Sequence, residues 1–101
     1  MPQPKFVQLI YEHEFDERDA HETRQRGYRS HVWVELDDGS KYPVTFFDCI
    51  RLQQELQSEA SSGRAFVGEP GLIVLEEVTR ENMEAAARTL ANEGFFTNPR
   101  W

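Results

Sequence analysis

The chain has 101 residues, 18 acidic and 11 basic, for a formal charge of −7 at neutral pH. That length predicts one domain, residues 1–101, with a core that needs no disulfide staples, and 39% hydrophobic with 12% aromatic residues excludes a disordered chain. Its longest apolar run, Leu72 to Leu75, is far short of the roughly 20 residues that span a bilayer, and the single cysteine, Cys49, excludes an internal disulfide or a multi-cysteine zinc module. No secretory leader is read at the start, so a cytoplasmic location is expected.

Residues 5–15 alternate as a strand, with Val7, Leu9, Tyr11, His13 and Phe15 on one face. Residues 16–28 show no apolar period and are expected to form a mobile loop with room for one helical turn. A hairpin follows: His31 to Leu36 and Tyr42 to Phe47 are strand-like, and Asp37-Asp38-Gly39-Ser40 has turn chemistry. Pairing Leu36 with Tyr42, Val34 with Val44 and Val32 with Phe46 makes one face apolar and leaves 37–41 in the loop, with Gly39 at positive φ. Pro43 donates nothing to a ladder, so its amide side is expected to face outward or to lie at a bulge.

Asp48 has the chemistry of an N-cap for a helix over 49–61, whose buried stripe is expected at Cys49, Leu52, Leu56 and Ala60 and whose end is marked by Gly63. A second hairpin is predicted from Ala65-Phe66-Val67 to Leu72–Leu75 through a turn with Pro70 and Gly71 at its centre. The run 72–75 is apolar at both parities, which predicts an interior strand. Thr79 caps a last helix over about 80–93, with Met83, Ala86, Ala87, Leu90 and Ala91 toward the core and Gly94 at its exit, and 97–101 form a short tail. The expected fold is a two-layer α+β domain of order β-ββ-α-ββ-α, with a mainly antiparallel sheet and two helices on one face. The other sheet face, with Trp33, Glu35, Thr45 and Phe47, is expected to be partly exposed. This order is similar in shape to small bacterial domains that include acidic immunity-type proteins, a likeness that carries no diagnostic motif and implies no activity.

Chemistry-bearing residues are few. His13, His21 and His31 bracket the 16–28 segment among carboxylates, and a metal-dependent or other enzyme built on this histidine and carboxylate cluster over 12–31 is the alternative reading, although the spacing matches no compact ligand motif. Cys49 stands at a helix N-terminus, where a thiolate is favoured. Asp48 beside it and the apolar stripe it shares favour a packed thiol. No nucleophile elbow or phosphate-binding glycine loop occurs, and no cofactor is implied. The segment 12–29 is polarised, acidic first and then basic at Arg24, Arg26 and Arg29 around Tyr28, and arginine with tyrosine is the composition of interface anchors. The resulting expectation is a small non-catalytic protein-binding module that contacts another protein, or a second copy, through Arg24, Arg26, Tyr28, Arg29 and Trp33. Three arginines on a chain of charge −7 make nucleic acid a poor partner.

Overall fold

The structure, a computed structural model, describes residues 3–97. Along them lie β1 (Phe6–Tyr11), α1 (Glu17–Arg26), β2 (Tyr28–Leu36), β3 (Lys41–Asp48), α2 (Cys49–Ser61), β4 (Leu72–Leu75) and α3 (Arg80–Asn92). The strands form one mixed sheet in the order β1-β2-β3-β4, with β1–β2 and β2–β3 antiparallel and β3–β4 parallel. The α+β class expected from the sequence holds. The order of elements and the two-layer arrangement do not, because there is a third helix and β4 joins by a parallel crossover. Of the expected tail, only Thr97 lies within the described residues.

The segment read as a loop is α1, and its cause is polar. Asp16 and Asp19 form a capping box, Glu17 and Asp19 stand in the first turn, and Arg24 and Arg26 in the last. Glu22 pairs with Arg18 at 3.3 Å and with Arg26 at 3.7 Å, each four residues away. The Asp19 backbone N–H beside Asp16 holds the Asp16 carboxyl below its usual range. Only Thr23 is buried, so the helix has no apolar period to find.

The predicted hairpin forms two residues out of register. Val34 lies opposite Tyr42 and Val32 opposite Val44. A shift of two preserves side-chain parity, so the apolar face is the one expected. Leu36 N–H donates to Ser40 C=O at 3.0 Å, which leaves a three-residue loop, Asp37 to Gly39, with Gly39 at φ 86°. Pro43 sits within β3, yet it shares the parity of Thr45, whose N–H donates to Gly71 C=O on the β4 side. The missing N–H of Pro43 therefore points to that side before β4 begins, and no ladder bond is lost.

Val32, Val34, Leu36, Val44, Phe46 and Ile73 form the inner sheet face, on which Met83, Ala87 and Ala91 of α3 and Val78 pack. Thr79 caps α3 as expected, and its exit is a Schellman motif, with Gly94 N–H donating to Ala91 C=O and Phe95 N–H to Leu90 C=O. In β1 an irregularity between Phe6 and Gln8 leaves Val7 exposed and turns Phe6 toward the core beside Leu9 and Tyr11, which corrects the simple alternation.

The opposite face departs most from expectation. Thr45 and Phe47 are buried there, and Phe47 touches the Tyr28 ring, over which lies Arg51 of α2. Helix α2 packs on β3 and β4, so the sheet carries helices on both faces. Asp48 caps α2, and Gly63 N–H to Ala60 C=O with Arg64 N–H to Glu59 C=O closes it. Its predicted stripe is not buried: Cys49, Leu56 and Ala60 are exposed and Leu52 is half-buried. The second hairpin is absent, since 64–69 have no regular structure and Phe66 is exposed. The run 72–75 is an edge strand rather than an interior one. It is a parallel strand at the end of a crossover, with Ile73 buried on the core and Val74 45% exposed on the α2 side.

Gly27 ends α1 at φ 68°, and an ideal Cβ on it would lie 2.2 Å from Asp48 Oδ2. At Gly39, whose φ is also positive, an added Cβ would have nothing within 4 Å. Gly27→Ala is therefore expected to cost roughly 1–3 kcal/mol by urea unfolding, and more than Gly39→Ala. Equal losses at the two positions would show that backbone strain alone matters and that the contact with Asp48 does not.

Candidate functional site

After β1 the chain turns inward and buries Phe15 against Tyr11, with ring centroids 4.3 Å apart and nearly parallel. Two guanidinium groups lie 4.9 Å from the Phe15 ring, those of Arg29 and Arg80, and Arg80 also donates to the Phe15 carbonyl. Arg29 Nη1 donates to Thr23 Oγ1 at 3.4 Å. Among the described residues Arg29 has no acidic partner, and its Nε is buried without a hydrogen bond, as is Tyr11 Oη. Burial pushes the Tyr11 hydroxyl up to about 12. Arg29 thus works within the fold, its charge held by aromatic faces on the inner side of the sheet.

Strand β2 bulges between Arg29 and Val32, which places Ser30 and His31 opposite Thr45. His31 takes φ 57°, uncommon for a residue with a side chain, and its carbonyl accepts from Glu12 N–H at 3.1 Å. Its Nδ1 lies 2.9 Å from Ser30 Oγ and 3.7 Å from Glu12 Oε2. His13 and His31 line one depression of about 190 Å³ with Glu12, Glu22 and Arg26. His21 lines another, of about 620 Å³, with Phe15, Arg24 and Arg80. The three histidines proposed from the sequence are therefore not brought together, and among the described residues no three His, Cys, Asp or Glu side chains are grouped to hold a metal. Cys49, read as packed, is exposed.

The residues proposed for partner contact are also divided. Arg24 pairs with Glu77 at 3.2 Å and Arg26 with Glu22 at 3.7 Å, so both neutralise neighbours on the surface. Arg29 lies opposite Phe46 and shares its inward face, whereas Tyr28 meets Phe47 on the other. Trp33 is on that outer face, between Ile10 of β1 and Pro43 of β3, which are its partners in the two ladders. One row away, Gln8, Glu35 and Lys41 cross the same strands: Gln8 Nε2 donates to Glu35 Oε1 at 2.8 Å and Lys41 Nζ lies 3.8 Å from Glu35 Oε2. Helix α2 packs on β3 and β4 of this face, and its Arg51 reaches the Tyr28 ring at the start of β2, while Ile10 and Trp33 are half-buried and Pro43 is exposed. Beside Pro43 an apolar cleft of about 490 Å³ opens between Tyr42, Leu72 and Phe96. The row of Ile10 and Pro43 beside Trp33 is the feature that sequence reading missed. Trp33 was legible, but its neighbours depend on the register of two ladders.

Compared with known proteins, the chain matches no family model, and no curated protein or solved structure matches it significantly.

The Tyr11 geometry carries a signed pH dependence. A phenol whose folded value is raised binds more protons folded than unfolded above pH 10, so the stability it contributes is present below pH 10 and is lost as pH rises toward about 12. Because the hydroxyl has no partner, Tyr11→Phe is expected to match or exceed the wild type in stability at pH 7. It is also expected to flatten the alkaline loss measured by denaturant unfolding between pH 9 and about pH 12. A large destabilisation at pH 7 would show that the hydroxyl is hydrogen-bonded.

Proposed function

We propose that this protein is a non-catalytic binding module that recognises another protein through the β1–β2 half of its outer sheet face. One observation carries the reading: Trp33, Ile10 and Pro43 form an apolar row across β1, β2 and the start of β3, with Pro43 exposed and Ile10 and Trp33 half-buried. A large aromatic anchor on a rigid sheet, bordered by the charged row of Glu35 and Lys41, has the layout of a contact whose centre excludes water and whose rim stays wet. The bulge at Ser30–His31 bounds the row on its other side. The arginines of α1 support partner choice only at a distance, since Arg24 and Arg26 already face acidic neighbours.

The test compares affinity capture from the source lysate by the wild type, by Trp33→Lys and by an Arg24→Glu, Arg26→Glu double variant of α1, each first shown by circular dichroism to be folded. A protein recovered in near-stoichiometric amount by the wild type is expected to be lost on Trp33→Lys, with at least about a hundredfold weaker affinity by calorimetry. Recovery unaffected by Trp33→Lys and abolished by the arginine reversals would move the interface to α1 and overturn the reading.

A further inference from the structure

Strand β4 leaves one row of backbone groups unpaired. Thr45 N–H donates to Gly71 C=O and Thr45 is in register with Leu72, so Gly71, Ile73 and Leu75 turn their amides and carbonyls toward β3. The N–H and C=O groups of Leu72 and Val74 point outward from the sheet, and among the described residues no hydrogen bond is made to them. Val74 is 45% exposed on the α2 side, and Ile50, two residues beyond the Asp48 that pairs with Leu75, is 70% exposed. The ends of the strand are acidic: Glu69 lies before it and Glu76 and Glu77 directly after it, all exposed, and among the described residues neither Glu69 nor Glu76 has an ion-pair partner.

We infer that the β4 edge accepts an extended segment of another protein as a fifth strand, antiparallel to β4, apolar at its centre and flanked at both ends by lysine or arginine. The outward groups of Leu72 and Val74 supply four hydrogen bonds in two closely spaced pairs, Val74 supplies the apolar contact, and the glutamates at the two ends select the basic flanks. A second copy of this chain fits worse. Two-fold pairing through β4 places Ile73 opposite Ile73 and therefore Glu69 of one copy opposite Glu77 of the other, between molecules that each carry a charge of −7. Only four residues long, the edge suits a transient contact. This surface lies across the sheet from Trp33 and does not depend on the function proposed for that face.

The test titrates the isotopically labelled protein with a blocked peptide, Lys-Lys-Val-Thr-Val-Thr-Val-Lys-Lys, and follows backbone amides by NMR. The amides of Leu72 and Val74 are expected to shift saturably and exchange more slowly with solvent. Binding is expected to weaken at least about tenfold when glutamate replaces the peptide lysines, and also in Val74→Pro, which removes an outward donor without breaking a bond to β3. Trp33→Lys is expected to leave it unchanged. If Val74→Pro does not fold, a peptide N-methylated at alternate residues makes the same comparison with the wild-type protein. No saturable shift at Leu72 and Val74 at about millimolar peptide overturns the inference, as does equal binding of the acidic peptide. Concentration-dependent dimerisation through β4 overturns it in favour of a second copy.

Discussion

Two distant parts of the chain cross at Gly27 and Asp48, and the arrangement of the elements depends on that crossing. Gly27 N–H closes α1 onto Thr23 C=O, and Gly27 C=O accepts from Asp48 N–H at 2.8 Å. The Asp48 carboxylate then accepts from Arg51 N–H at 2.7 Å and starts α2. One junction thereby ends a helix, begins β2, ends β3 and begins the next helix. A side chain at position 27 would occupy the space of the carboxylate, so the glycine is needed both for its left-handed backbone and for its lack of volume.

From that junction the helices divide between the faces of the sheet. Helix α1 leans Ala20 on the inner core and α3 fills it with Met83, Ala87 and Ala91, whereas α2 leaves Asp48 for the outer face. Connecting β3 to a parallel β4 requires a crossover, and α2 with the irregular segment after it supplies one. The crossover lies on the face where Thr45 and Phe47 are buried. Gly71 permits the return: at φ 55° it approaches so closely that a Cβ would lie 2.4 Å from Pro43 C=O.

The two surfaces proposed for binding follow from the same geometry and differ in chemistry. The outer face of β1 and β2 offers side chains, a flat aromatic anchor with a charged border. The β4 edge offers backbone, with specificity left to flanking charge. Helix α1 uses most of its charge within the fold. Its acidic start and basic end satisfy the helix dipole and its own ion pairs, which leaves Arg29 to stack on Phe15 and Tyr11 inside the fold.

Local chemistry was legible from the residues alone. The caps at Asp48 and Thr79, the turn at Gly39, the exit at Gly94, the inner stripe of α3 and the shared face of Val32, Val34 and Val44 each depend on neighbours a few positions away. Helix α1 carried signals of the same range, an Asp-x-x-Asp cap and Gly27, but without an apolar stripe they read as a loop. The pairing partner of Leu72–Leu75, the placing of α2 on the outer face and the neighbours of Trp33 were decided only in three dimensions. An apolar run does not state what lies on each of its sides, since Ile73 is buried on the core and Val74 is 45% exposed on the α2 side, and a parallel strand draws its partner from across a helix rather than across a turn. By itself the sequence determined the caps at Asp48 and Thr79, the turn at Gly39 and the inner faces of β2, β3 and α3, whereas helix α1, the irregular 64–69 segment and the exposure of the α2 stripe were not legible in it. Tertiary structure decided which backbone edge remains open and which residues neighbour Trp33, because those depend on hydrogen bonds between residues far apart in the chain.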